Sequence, residues 1–379
     1  MKTTGTKNIF TVALLLIFSV MVVTSFAEDK EKTFSVKKGD ILKVSTHFGN
    51  VTYSKGSSSE VKVMVKNILS EELQFLKMEK SGSIVNIEFE GEDSHRLRFE
   101  ITGPSTLDLD FSTGGGNVSV QVSMEGNVDI TTGGGNVETQ DINGVADITT
   151  GGGNVSLKNV LGNADVTTGG GEVEVGIIEG TADITTGGGN ITVQSINKSA
   201  DLSTGGGNIS VSTVNGNADI NTGGGNIKVG KVSGTADVNT GGGNIMLESA
   251  SGKVDVNTGA GNLTLKNITG YLDANTGSGN IYAEITPDGK NKSELNTGNG
   301  DIVLMIPSTA KARITATVHV VDWEDHLKGI EPIFSDFEPV SVKRVNGKKR
   351  IEAIFELNGG GSEIELNSGL GEIEIKKLK

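Results

Sequence analysis

Nine aspartates, Asp129, Asp147, Asp165, Asp183, Asp201, Asp219, Asp237, Asp255 and Asp273, follow one another at intervals of eighteen residues. Carboxylates bind cations and move protons, so their spacing is the first clue to chemistry. If each interval is one turn of a stacked structure, they form a single file with neighbours about 5 Å apart, repelling by about 1 kcal/mol per pair in water. Hydrogen bonds from the local turn or from hydroxyls would offset this, and Thr131, Thr149, Thr167 and Thr185 lie two positions further on. Divalent cations would also offset it, and calcium, a hard ion that prefers oxygen, is the candidate cofactor. The GGxGxD pattern of calcium-binding nine-residue repeats is absent, because each glycine triplet here runs into Asn or Glu.

Catalysis finds less support. Acid and base roles need two carboxylates in different environments, whereas this file is uniform. Between Gly114 and Thr297 there is no Arg or His, and the only aromatic residues are Tyr271 and Tyr282. The one local cluster is HVVDWEDH, from His319 to His326, with Asp322, Trp323, Glu324 and Asp325 between. It could ligate a metal, or it could be a strand end entering a solvated loop. The chain has no cysteine, which excludes disulfides and thiolate chemistry.

What must position the aspartates is a repeat. Glycine triplets begin at Gly114, Gly133, Gly151, Gly169, Gly187, Gly205, Gly223 and Gly241, with close variants at Gly259, Gly277 and Gly298. No Lys-Ser/Thr pair follows any triplet, so a phosphate-cradling loop is excluded. Tight corners between strands explain them instead, through positive φ and through close approach of stacked backbones. Asn136, Asn154, Asn190, Asn208, Asn226, Asn244, Asn262 and Asn280 follow the triplets and would stack as an amide ladder.

Within each eighteen, apolar residues alternate two apart, the period of a strand with one face inward. Three β-branched columns run down the repeat, one through Ile130, Ile148 and Val166, a second through Val137, Val155 and Val173, a third through Ile142, Val160 and Ile178. A fourth is small, with Ala146, Ala164 and Ala182. Near its end Leu272 replaces the small residue while the adjacent column falls to Ala274, a volume-conserving exchange that a close-packed interior requires. The expected fold is all-β, a parallel β-solenoid (β-helix) with 18-residue coils, each adding about 4.8 Å along the axis.

The expected organisation is a signal peptide at 1–27, an irregular β region and cap at 28–110, the regular solenoid at 111–300, and a C-terminal β region and cap at 301–379. Lys2 and Lys7 precede IFTVALLLIFSVMVV and a small-residue site ending at Ala27, the pattern of an export signal. That run is shorter than the about 20 residues of a spanning helix, so no membrane span is expected in the mature chain. The formal charge is −14, and loss of Lys2 and Lys7 would make it −16. Such a surface disfavours nucleic acid and attracts cations. Thr46-His47-Phe48-Gly49-Asn50-Val51 reads as a worn copy of the corner, and Gly371-Glu372-Ile373 as another.

Three stretches carry a family resemblance: FSVKKGDILKVSTHFGNVTYSKGSSSEVKV, FEITGPSTLDLDFSTGGGNVSV and NGGGSEIELNSGLGEIEIKK. Over residues 34–379 the chain resembles the bacterial "putative adhesin" domains of unknown function, which are similar to head GIN domains. The resemblance implies a right-handed solenoid at the cell envelope without known catalysis. The function expected is an exported, non-enzymatic surface or envelope protein, an adhesin-like binder or scaffold whose partner is a surface protein or polysaccharide. A polysaccharide-acting enzyme and a calcium-stabilised spacer are the alternatives.

Overall fold

The computed structural model describes residues 27–91, 97–319, 332–345 and 350–378. The expected signal peptide lies outside the described residues except for Ala27, where the first strand begins. Among the described residues the only helical element is a 3₁₀ turn, Ser70–Phe75, so the ambiguous SEELQFLKMEK resolves into that turn and the strand Leu76–Ser81. No helix among them is long and apolar enough to cross a membrane.

Each regular coil contributes two strands, for example Ala164–Thr168 and Val173–Ile178. The first pairs in parallel with its counterparts one coil away on either side, Asp165 opposite Asp147 and Asp183. The second does the same in another sheet, Val173 opposite Val155 and Ile191. Stacking a repeat of constant length puts equivalent residues opposite one another, and the fold is the expected parallel β-solenoid. All four predicted columns are buried, and so is a fifth, Leu157, Val175, Val193, Val211, Val229, Leu247 and Leu265. The volume exchange begins one coil earlier than the sequence suggests. Val254 stands opposite Ala236, and the neighbouring column shrinks from Val232 to Ala250 in compensation.

Past this fifth column the second strand bends. In Val155–Val160 both Lys158 and Asn159 face outward before Val160 turns in again, which gives each coil a short third side.

Of the two reasons expected for the corner glycines, one holds. None of the corner triplets from Gly114 to Gly243 has positive φ; that region is occupied by Gly39, Gly49, Gly82, Gly270, Gly289 and Gly359–Gly361, and by Asn67, Asn267 and Asn358. Close approach is the reason that holds. A Cβ on the first glycine, from Gly133 to Gly241, would stand 2.0–2.2 Å from the carbonyl oxygen of its equivalent one coil below. On the third glycine the gap is as small, 1.9 Å from Gly153 to Gly135 O, while the middle Gly152 has open space.

The corner is closed by a residue whose role is not evident from patterning, the threonine before each triplet. Thr168 is 2% exposed. Its Oγ1 donates to Gly153 O at 2.9 Å and accepts from Gly171 N–H at 3.1 Å. The same pair of bonds recurs at Thr132, Thr150, Thr186, Thr204, Thr222, Thr240, Thr258 and Thr276.

At both ends the coils are stacked out of chain order. Ile41–Thr46 lies between Ile84–Phe89 and Asp108–Thr113, with Thr46 opposite Thr113 as the worn-copy reading requires. At the other end Ser362–Ser368 is inserted between Ser293–Thr297 and Ala312–His319. Gly371 packs on Gly300 as a corner glycine does. Antiparallel strands cover the ends: Ala27–Ser35 on Glu60–Leu69, Leu76–Ser81 on Ile84–Phe89, and Ser341–Val345 on Arg350–Leu357. Charged side chains on such edges, including Lys77, Lys80 and Lys343, discourage further strand pairing.

Candidate functional site

Two long faces are available to a partner, one on each sheet. On the first, the aspartates form the predicted file. Strand pairing sets Asp129, Asp147, Asp165, Asp183, Asp201, Asp219, Asp237, Asp255 and Asp273 in register, exposed through Asp237 and half-buried at Asp255 and Asp273. The file is longer than the sequence pattern shows. Asp110 continues it at one end, held by Lys43 at 2.8 Å, and Glu294 and Glu365 continue it at the other, bridged by Lys292 at 2.5 and 3.0 Å. These members escape the sequence reading because insertions interrupt the interval of eighteen there.

Its two halves differ in how repulsion is relieved. From Asp219 onward, the residue two positions on is Asn, and its amide donates to the carboxylate: Asn221 to Asp219 at 2.5 Å, Asn239 to Asp237 at 2.6 Å, Asn257 to Asp255 at 2.8 Å and Asn275 to Asp273 at 2.7 Å. These asparagines also form a ladder, each donating to the one before, on through Asn296 and Asn367. In the first half that position is Thr or Ser. There Asp129, Asp165 and Asp201 have carboxyls raised above the usual range, first by burial and then by their neighbouring aspartates.

Calcium takes six to eight oxygen ligands. One carboxylate per coil in a straight file brings two neighbours to any one ion, and no group of three or more acidic, His or Cys side chains is placed to hold a metal among the described residues. The file does not fit a calcium cage. A cation there would keep most of its water and act by screening.

The asparagines after the triplets do form the predicted column, with a sharper role. Each side-chain oxygen accepts the backbone N–H of the equivalent residue in the next coil, as Asn136 does from Asn154 at 2.8 Å and Asn154 from Glu172 at 2.9 Å. Asp301 serves in the same way for Glu372. Their side chains are engaged in holding the corner. His319 is exposed at the end of its strand, beside a cavity of about 520 Å³ lined by Asn275, Asn296 and Asn367. Asp322, Trp323, Glu324, Asp325 and His326 lie outside the described residues.

The second face, which the sequence did not single out, carries a groove of about 500 Å³ along the axis. One wall is the file Glu138, Ser156, Glu174, Thr192 and Ser210, and the other is Gln140, Lys158, Gly176, Gln194 and Ser212. The floor is the edge of the fifth core column, Leu157, Val175 and Val193. A second feature, of about 570 Å³, follows the Asp file past Asp183, Asp201, Asp219 and Asp237 over the small alanine column.

Residues 197–331 match the family model of the Toastrack domain DUF4097. No curated protein matches the chain. Among solved structures, a putative adhesin from Bacteroides fragilis NCTC 9343 is similar at 12% identity and TM-score 0.25, over 93% of this chain and 97% of that one. A putative adhesin from Parabacteroides merdae ATCC 43184 gives the same four figures, 12%, 0.25, 93% and 97%. A putative lipid binding protein from Parabacteroides distasonis ATCC 8503 is 15% identical with TM-score 0.25, over 73% of this chain and 94% of that one. Residues 197–331 are thus similar to the Toastrack DUF4097 family.

Proposed function

We propose that the chain is an exported, non-enzymatic scaffold of the cell surface or envelope, whose acidic rod offers repeated, identical groups for multivalent attachment to a surface protein or polysaccharide. The observation that carries this reading is the in-register repetition of the Asp face. There each coil offers nearly the same side chains as the next, about 4.8 Å further along. Turnover needs one place unlike its surroundings, where acid and base differ in environment. Attachment gains from sameness, because each further contact made by a bound polymer is intramolecular.

The test uses the full chain against a panel of envelope and host polysaccharides, scored for binding and for new reducing ends or unsaturated products. Retention on one or more polymers without product supports the scaffold. Product released in proportion to protein would overturn it and turn attention to His319 and the acidic residues that follow.

A further inference from the structure

We infer that the groove on the second face is a binding site for a neutral, extended polysaccharide lying along the solenoid axis, an assignment that rests on the attachment function proposed above. The walls hold hydroxyls, carboxamides, two carboxylates and one ammonium, with Ser156, Thr192 and Gln194 exposed. This is donor and acceptor chemistry for a polyhydroxyl chain. At Gly176 the wall lacks a side chain altogether, because a Cβ there would stand 2.0 Å from Lys158 O. The resulting notch widens the groove above Val175, whose own side chain stays buried in the core.

Periodicity separates a glycan from a peptide. Equivalent wall residues recur about every 4.8 Å, close to the length of one sugar residue in an extended chain. An extended peptide shows a side chain to the same face only about every 6.6 Å, between one coil and two, whereas an extended β-1,4-linked chain, whose successive sugars alternate in facing, repeats about every second coil. Its backbone has no free edge to join either, since the strands under the groove are paired on both sides. Charge separates the neutral polymer from an anionic one. Glu138 and Glu174 face the groove against the single Lys158, on a chain of formal charge −14.

The probes are linear β-1,4-linked glucose and xylose oligomers, from disaccharide to octasaccharide, titrated calorimetrically into the full chain. Affinity should climb with length and level off once the oligomer spans the groove. Gln194→Ala should weaken the longest oligomers about five- to tenfold, the worth of one or two lost hydrogen bonds. Thr192→Arg, which fills the middle of the groove from an exposed position, should abolish binding, and thermal melting of each variant controls for folding. Glu79→Gln, exposed on the cap strand Leu76–Ser81, should leave affinity unchanged. Oligomer binding that survives Thr192→Arg, or affinity independent of length, would overturn the groove assignment. No oligomer binding, combined with retention of other envelope polymers through the Asp file, would overturn it too while leaving the attachment function standing.

Discussion

Thr168→Val tests the corner threonines. The substitution keeps shape and burial and removes one hydroxyl. Two backbone groups would then lose their partner, the Gly153 carbonyl that accepts at 2.9 Å and the Gly171 N–H that donates at 3.1 Å. Both glycines are buried, so neither group readily turns to water. An orphaned buried group costs roughly 1–3 kcal/mol, and the variant should lose about 2–4 kcal/mol locally. Repeat proteins need not unfold in one step, so a local readout is preferable to a single melting midpoint. Native-state hydrogen exchange supplies one. The Gly171 amide should exchange about 30- to 1000-fold faster in the variant. Thr168→Ser, which keeps the hydroxyl, should retain most of the protection. Equal protection in wild type and Thr168→Val, or equal loss in the Ser and Val variants, would refute the account.

Other consequences follow from the same geometry. Gly153→Ala places a Cβ 1.9 Å from Gly135 O and should destabilise by about 3 kcal/mol or more, whereas Gly152→Ala meets open space and should be neutral or stabilising by about 0.4–1 kcal/mol; thermal melting of the pair checks this. Asp129, Asp165 and Asp201 have folded pKa values raised above their unfolded ones, so their ionisation disfavours the fold, and stability should rise as pH falls from neutral through those values. The opposite holds for Asp40, Asp141 and Asp288. Burial opposes the charge of Asp40, but Lys80 and the Lys37 backbone outweigh it. Asp141 is lowered first by Asn159, and Asp288 by the backbone N–H groups of Asn291 and Lys290. Their contribution is lost as pH falls through their folded values, so stability measured against pH should peak on the acidic side of neutral, and the triple Asp→Asn variant at 129, 165 and 201 should flatten the rise towards it. Calcium and magnesium chlorides at matched ionic strength should raise the melting temperature alike, since the Asp file screens charge and does not enclose an ion; a calcium-specific rise reversed by chelator would sink that reading.

The repeat made much of the molecule readable. Once the interval of eighteen is seen, Asp147 must lie opposite Asp165, and Ile148 opposite Val166, because stacked coils of equal length leave no other register. Where the interval breaks, so does legibility. Asp110, Glu294 and Glu365 belong to the acidic file, yet only strand pairing reveals them. Thr168 was visible as part of a motif, but nothing in a polar residue beside glycines says that its hydroxyl is turned inward to bridge two coils. The groove was hidden for a related reason. Its walls vary in sequence, and they matter only because parallel stacking sets two files of outward side chains side by side on one sheet.

By itself, then, the sequence determined the coil: its length, its inward columns, its glycine corners and the file of aspartates. These are consequences of local alternation repeated at a constant interval, and any parallel stacking of such units reproduces them. Tertiary structure decided what local pattern leaves degenerate. Ile41–Thr46 has the same alternation as many strands, and only the competition among all possible neighbours seats it between Ile84–Phe89 and Asp108–Thr113. Ser362–Ser368, nearly the last strand of the chain, is likewise drawn inward beneath Ala312–His319, where pairing on both sides satisfies backbone groups that an end position would leave open.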